Sequence, residues 1–209
     1  MSRHITEREV KLRLPDEAAW AAVRLALSPP VRVLRQVNTY FDTPSGRLRE
    51  RRDLMVRVRE VDGRQWVQVK DRISANDGLL TSRERETELT PSAWQSVHRA
   101  VTALTALDNP LCQQLAVEVQ DSLHPLGSVI NTREVFDLGD GYLAEVDRTE
   151  LPGGRVDYEV EIELRAEHHT TEGAIAAVEA AAGQALTGGF STPKYGRFLD
   201  ALEDATRLE

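Results

Sequence analysis

The chain has 209 residues, 41% of them hydrophobic and 29% charged, with a formal net charge of -8 and one cysteine, Cys112. That size and apolar fraction suit a single globular domain spanning 1–209 with a real core. The acidic balance disfavours nucleic acid, one cysteine excludes an intrachain disulfide, and no run approaches the ~20 apolar residues of a membrane span. Without an apolar N-terminal signal region the expected location is the cytoplasm, with no membrane partner, and the sequence leaves monomer or homodimer open.

The first element, His4 to Leu14, alternates as a strand with Glu7, Glu9, Lys11 and Arg13 on one face and Val10, Leu12 and Leu14 on the other. Acids about 7 Å apart on one strand face repel unless a cation lies between them, and a lysine one step on is placed for an anion that the cation would bring. The alternative is an amphipathic edge strand with a solvated polar face. Pro15-Asp16-Glu17 then starts a helix to about Leu27, closed by Pro29-Pro30, and Val33 to Asp42 reads as a second strand. Thr43-Pro44-Ser45-Gly46 is a turn, and Arg47 to Asp53 a charged, solvated connector. Leu54 to Val61 is the third strand, with Arg57 and Arg59 on one face, joined by the hairpin turn Asp62-Gly63 to a fourth, Arg64 to Lys70. There Trp66, Gln68 and Lys70 align against Val67 and Val69.

Asp71 to Ser82 contains Asn76-Asp77-Gly78 and reads as a mobile loop, followed by a fifth strand, Arg83 to Leu89. That strand puts Glu84, Glu86 and Glu88 on one side, so Arg85 is expected to face outward. Thr90-Pro91 opens a helix to about Leu107, and Asn109-Pro110 a second to about Leu123. Strands follow over Ser128 to Leu138, carrying Asn131 and Arg133; over Tyr142 to Thr149, carrying Glu145 and Asp147; and over Arg155 to Leu164, carrying Glu159, Glu161 and Glu163. Thr171 to Leu186 is a helix, and Pro193 to Glu209 a closing helical segment. No histidine or cysteine cluster has zinc spacing, and His168-His169 reads as a solvated pair.

At least six strands thus share one pattern, a charged face backed by an apolar one. The fold expected is α+β: an eight-stranded antiparallel β-barrel, or tunnel, with a charged interior and helices packed on the outside over the apolar faces. Glutamates alone would not be stable together inside it at neutral pH, and hard carboxylate oxygens suit Mg²⁺ or Mn²⁺. Arginines beside those metals require an anion between them, which a polyphosphate supplies. The competing account is a set of salt-bridge ladders on solvated faces.

Glu7-Arg8-Glu9-Val10-Lys11 resembles the ExExK motif of the CYTH domain family, the triphosphate tunnel metalloenzymes. The likeness continues through Asn38-Thr39-Tyr40-Phe41-Asp42-Thr43-Pro44, Arg57-Val58-Arg59, Lys70, Glu86, Glu88, Arg133, Glu145-Val146-Asp147, Glu159-Val160-Glu161-Ile162-Glu163 and Lys194-Tyr195. The resemblance implies that Lys11, Arg57, Arg59, Lys70, Arg133 and Lys194 hold the phosphates of a triphosphate-containing small molecule. By the same resemblance Glu7, Glu9, Glu159, Glu161 and Asp147 hold metal, Glu7, Glu9, Lys11 and Asp147 are catalytic, and Glu86, Glu88, Glu145 and Glu163 are further tunnel acids. The activity implied is metal-dependent hydrolysis of inorganic tripolyphosphate or an organic triphosphate such as thiamine triphosphate. Class IV adenylyl cyclase, making cyclic AMP from ATP, and a non-catalytic polyphosphate-binding module are the alternatives. In the free protein Arg57 and Arg59 are expected to stand in water.

Overall fold

A computed structural model describes residues 3–51, 54–76, 78–182 and 189–207. Period-two alternation produces strands, and eight occur among the described residues: β1 (Arg3–Leu14), β2 (Arg32–Asp42), β3 (Leu54–Val61), β4 (Arg64–Asn76), β5 (Leu79–Leu89), β6 (His124–Gly139), β7 (Tyr142–Glu150) and β8 (Val156–Glu163). They close into an antiparallel barrel in the order β1-β5-β4-β3-β2-β6-β7-β8, which leaves no free sheet edge among the described residues. Helices α1 (Glu17–Leu27), α2 (Arg47–Arg51), α3 (Pro91–His98), α4 (Pro110–Val119), α5 (Thr171–Ala182) and α6 (Lys194–Thr206) complete the expected α+β fold.

The chain falls into two compact units interleaved in sequence: a first from 1–6, 36–73 and 83–129, and a second from 7–35, 74–82 and 130–209. In the first, Val56 pairs with Val69 and Val58 with Val67, and this face is covered by Trp94 and Val97 of α3 and Leu111, Cys112 and Leu115 of α4. In the second, the rows Val10–Ile162–Ala144–Phe136 and Leu12–Val160–Val146 form the apolar face, covered by Val23 of α1 and Ala174 and Val178 of α5. Each fully buried valine or leucine contributes about 1.5–3 kcal/mol, so both cores hold their strands in register.

Several boundaries differ from the sequence expectation. The stretch 71–82 is a hairpin, with β4 continuing to Asn76 and β5 starting at Leu79. Polar residues disguise the strand: Asp71 lies opposite Leu54 on the core face of β4 and is buried by ion pairs to Arg83 and Arg85. Gly78 has φ +78° and lies under the Phe190 ring, which would come within 2.0 Å of a Cβ. The connector after Gly46 holds a short helix, α2, because the Asp42 carboxylate accepts from the backbone N–H of Thr43, Leu48 and Arg49 at 2.7, 2.8 and 3.2 Å. The helix opened by Thr90 stops at His98, and Ala100 has φ +56° with a single 3-10 turn at Leu104–Ala106 beyond it. Gln120 in the left-handed region ends α4 before Leu123. The predicted end of the Thr171 helix, 183–186, lies outside the described residues. His168 is exposed, but His169 is buried against the Tyr142 ring at 4.0 Å, so the two are not a solvated pair.

Candidate metal and phosphate site

Antiparallel register places directly opposed residues on the same face. In the second unit Lys11, Glu161 and Glu145 therefore form one cross-strand row, and Arg13, Glu159, Asp147 and Arg133 the next, both on the face opposite the core rows. Asp147, Glu159 and Glu161 are 0%, 1% and 6% exposed, and one carboxylate oxygen from each lies within 4.8 Å of the others. Such a group survives burial only with cations among it. Lys194 Nζ supplies one, 2.6 Å from Asp147 Oδ2, 2.9 Å from Glu159 Oε1 and 3.5 Å from Glu161 Oε1.

Lys11 Nζ donates to Glu161 and lies 3.2 Å from Glu9 Oε2. Arg133 donates through Nε and a terminal nitrogen to the two Asp147 oxygens at 2.8 and 2.6 Å, reaches Glu161 Oε2 at 2.5 Å, and also donates to Glu145. Burial by itself would lower the pKa of the Lys11 and Lys194 ammoniums, but the surrounding carboxylates outweigh it and hold both above the usual lysine value. Burial would likewise raise Glu161 and Asp147. At Glu161 it is overcome by Lys11, Lys194 and Arg133, which leave that carboxyl well below its usual range, and at Asp147 by Arg133 and Lys194, which leave it below its ordinary value.

The first unit carries a second charged row on β3, β4 and β5. Arg57 Nε donates to Gln68 Oε1 at 2.9 Å, and Gln68 Nε2 donates to Glu84 Oε1 and Glu86 Oε2 at 2.9 and 3.0 Å. Lys70 Nζ is 3.4 Å from Glu84 Oε2, and Arg59 Nε donates to Asn38 Oδ1 at 2.9 Å. Burial would raise the Glu84 pKa, but Lys70, Arg57 and Arg59 bring it below normal. Arg57 is only 6% exposed, so the expectation that it stands in water is corrected.

Of the predicted residues, Glu9, Lys11, Arg133, Glu145, Asp147, Glu159, Glu161 and Lys194 converge in the second unit, and Arg57, Arg59, Lys70 and Glu86 in the first. Glu7 is half-buried and accepts from Ser82 Oγ at 3.3 Å. Two acids do not join these groups. Glu88 is exposed and forked with Arg64 at 2.6 Å, and Glu163 is half-buried and accepts from Arg165 Nε at 2.7 Å. Each lies near the end of its strand, where alternation still gives the right face but the chain has reached solvent. Arg85 faces the core side as its parity requires, yet is buried by Asp71 and Glu118 of α4 rather than solvated. Glu84, which the alternation puts on the face of Glu86 but which was not among the expected tunnel acids, joins the first-unit group, and sequence reasoning missed Ser191 and Arg197, which both donate to Glu159 Oε2. Arg197 had a usable signal, standing one turn after Lys194 on α6.

The donor set fits a hard divalent cation: three buried carboxylates converge, and Glu159 Oε1 has no directed hydrogen bond among the described residues, only the Lys194 ammonium beside it.

The chain belongs to the CYTH domain family, whose model matches residues 6–186. No curated protein matches it. Among solved structures, the chain is similar to a putative adenylyl cyclase from Hippeastrum, HpAC1, described as revealing a dominant triphosphatase activity, with 26% identity, TM-score 0.81, and 93% of this chain and 95% of that one covered. A putative adenylate cyclase from Bacillus halodurans shares the fold at TM-score 0.72 and 17% identity, covering 93% and 98%. The Mimivirus capping enzyme triphosphatase shares it more distantly, at TM-score 0.53 and 11% identity, covering 85% and 89%. No helix among the described residues is long and apolar enough to cross a membrane.

Proposed function

We propose that this protein is a divalent-metal-dependent hydrolase that removes the terminal phosphate of a triphosphate, either inorganic tripolyphosphate or an organic triphosphate such as thiamine triphosphate. The observation that carries the reading is the mixed composition of one buried cluster. Asp147, Glu159 and Glu161 converge as oxygen donors, while Lys11, Arg133 and Lys194 stand among them as cations. Neither a free anion nor a bare cation needs both sets, whereas a metal polyphosphate complex needs each.

Asp147, Glu159 and Glu161, with Glu9 and Glu7 of the ExExK strand, would hold Mg²⁺ or Mn²⁺, which when bound supplies Lewis-acid polarisation of phosphate oxygens and a more acidic water. Lys11 and Arg133 bind phosphate oxygens, and their tethering to carboxylates means that they enter the reaction already oriented. Lys194 gives up its carboxylate partners as metal enters and takes phosphate oxygens in their place, where its charge faces the leaving group. In the first unit Arg57, Arg59 and Lys70 are proposed as further phosphate contacts. Triphosphatase activity described for the 26% identical HpAC1 favours hydrolysis over the cyclase reading.

The test is phosphate release from tripolyphosphate by Glu161→Gln and Glu9→Gln at limiting Mg²⁺. Each change keeps shape and removes a charged oxygen donor, so most activity should be lost while the fold survives. Wild-type rates in both would refute the ligand assignment.

A further inference from the structure

The two oxygens of Glu159 lie in different surroundings. Oε2 accepts from Ser191 Oγ at 3.1 Å and from a terminal nitrogen of Arg197, whereas Oε1 has no directed hydrogen bond among the described residues and lies 2.9 Å from Lys194 Nζ. Both donors to Oε2 are themselves anchored. The Ser191 N–H donates to the Lys11 carbonyl at 2.9 Å and the Arg13 N–H donates to the Gly189 carbonyl at 2.9 Å, which ties the segment leading into α6 to β1. Arg197 is 7% exposed, and its other terminal nitrogen donates to Asp157 Oδ2 at 3.2 Å. Asp157 and Glu159 share a face of β8, so one planar guanidinium spans both carboxylates and fixes both.

We infer that Arg197 and Ser191 are a positioning pair for Glu159: by holding Oε2 they leave Oε1 turned toward the point where the Asp147 and Glu161 oxygens meet, so that Glu159 presents one oxygen to a divalent cation. This inference rests on the reading of Glu159 as a metal ligand. Two effects of Arg197 oppose each other. Its charge repels an incoming cation, and its fork removes the orientational freedom that Glu159 would otherwise lose on binding. Asp157 already opposes that charge, which leaves orientation as the larger effect. Groups that orient a metal ligand typically contribute about 10- to 100-fold in metal affinity.

The experiment is titration of Mn²⁺, without triphosphate, read by electron paramagnetic resonance of the free ion, alongside thermal melts of each variant in EDTA. Arg197→Lys keeps the charge and loses the fork, and should weaken Mn²⁺ binding about tenfold. Arg197→Gln should weaken it at least as much. Ser191→Ala removes one neutral donor and should weaken it about threefold. A merely structural Arg197 would lower the EDTA melting temperature and leave the Mn²⁺ Kd unchanged, and a merely electrostatic one would make Arg197→Gln bind Mn²⁺ more tightly. Either result overturns the inference. Should the Arg197 variants not fold, an unchanged Kd in Ser191→Ala overturns it alone. Glu159→Gln separates the two readings: no loss of Mn²⁺ affinity there defeats the ligand assignment and this inference with it, whereas loss there but not in the Arg197 and Ser191 variants defeats positioning alone.

Discussion

Replacing Lys194 with methionine should move three measurable quantities, two of them in opposite senses. The ammonium contacts Asp147, Glu159 and Glu161 at 2.6, 2.9 and 3.5 Å, so it occupies the place where a metal would meet the same oxygens. Metal can enter only as the lysine retreats, and two unit charges 4 Å apart interact by about 4 kcal/mol at an effective dielectric of ~20. Retreat relieves most of that repulsion. If about 1.5 kcal/mol remains, Lys194→Met should bind Mn²⁺ about tenfold more tightly in the absence of triphosphate. The same change leaves three buried carboxylates short of a partner, a loss of about 3–5 kcal/mol that lowers the metal-free melting temperature by about 10 °C. Triphosphate affinity should fall, since a charge-assisted contact is gone. The assay is isothermal titration with Mn²⁺ and separately with tripolyphosphate, together with melts in EDTA and in Mn²⁺. A Mn²⁺ Kd unchanged or weakened in Lys194→Met would refute competition between the lysine and the metal.

Other outcomes follow from the same clusters. Arg57→Ala should weaken triphosphate binding by roughly 1.5–3 kcal/mol, and it should also cost the free protein about 1 kcal/mol, because Gln68 Oε1 loses its donor. Equal ligand-induced melting shifts in variant and wild type would count against a phosphate role. Stability measured in EDTA should be flat across neutral pH. Glu161, Asp147 and Glu84 have folded pKa values below their ordinary 4.5, 3.8 and 4.5, so their contribution is complete above those values and is lost as pH falls through the lowered ones. Lys11 and Lys194 are raised above 10.5, so theirs is complete below that value and is lost as pH rises through the raised ones. A melting temperature that peaks below pH 4 would contradict these signs. Asp42→Ala should destabilise the protein by about 1–3 kcal/mol through the α2 N–H groups it caps, a loss that chemical denaturation would detect.

Much of this architecture was legible because period two needs only local sequence. The rows Glu7-Glu9-Lys11, Arg57-Arg59, Glu145-Asp147 and Glu159-Glu161 were assigned to faces correctly, and the apolar residues between them lie in the cores. Residues whose setting depends on distant chain were harder to read. Asp71 looks like a loop residue until Arg83 and Arg85 fold beside it, and Asp42 gives no hint that its carboxylate will cap a helix five residues on. Glu88 and Glu163 have the parity of site residues, but parity says nothing of where a strand emerges into solvent. Arg197 and Ser191 come from the C-terminal segment, and only the tie of 189–191 to β1 brings them to Glu159.

The central claim is tested most directly by incubating the purified protein with tripolyphosphate, thiamine triphosphate and ATP, with Mg²⁺, Mn²⁺ or excess EDTA, and measuring orthophosphate and cyclic AMP together. The account predicts orthophosphate from at least one triphosphate with metal present, none in EDTA, and no cyclic AMP. Turnover that persists in EDTA, cyclic AMP from ATP without orthophosphate release, or tight triphosphate binding with no turnover under any metal would contradict it.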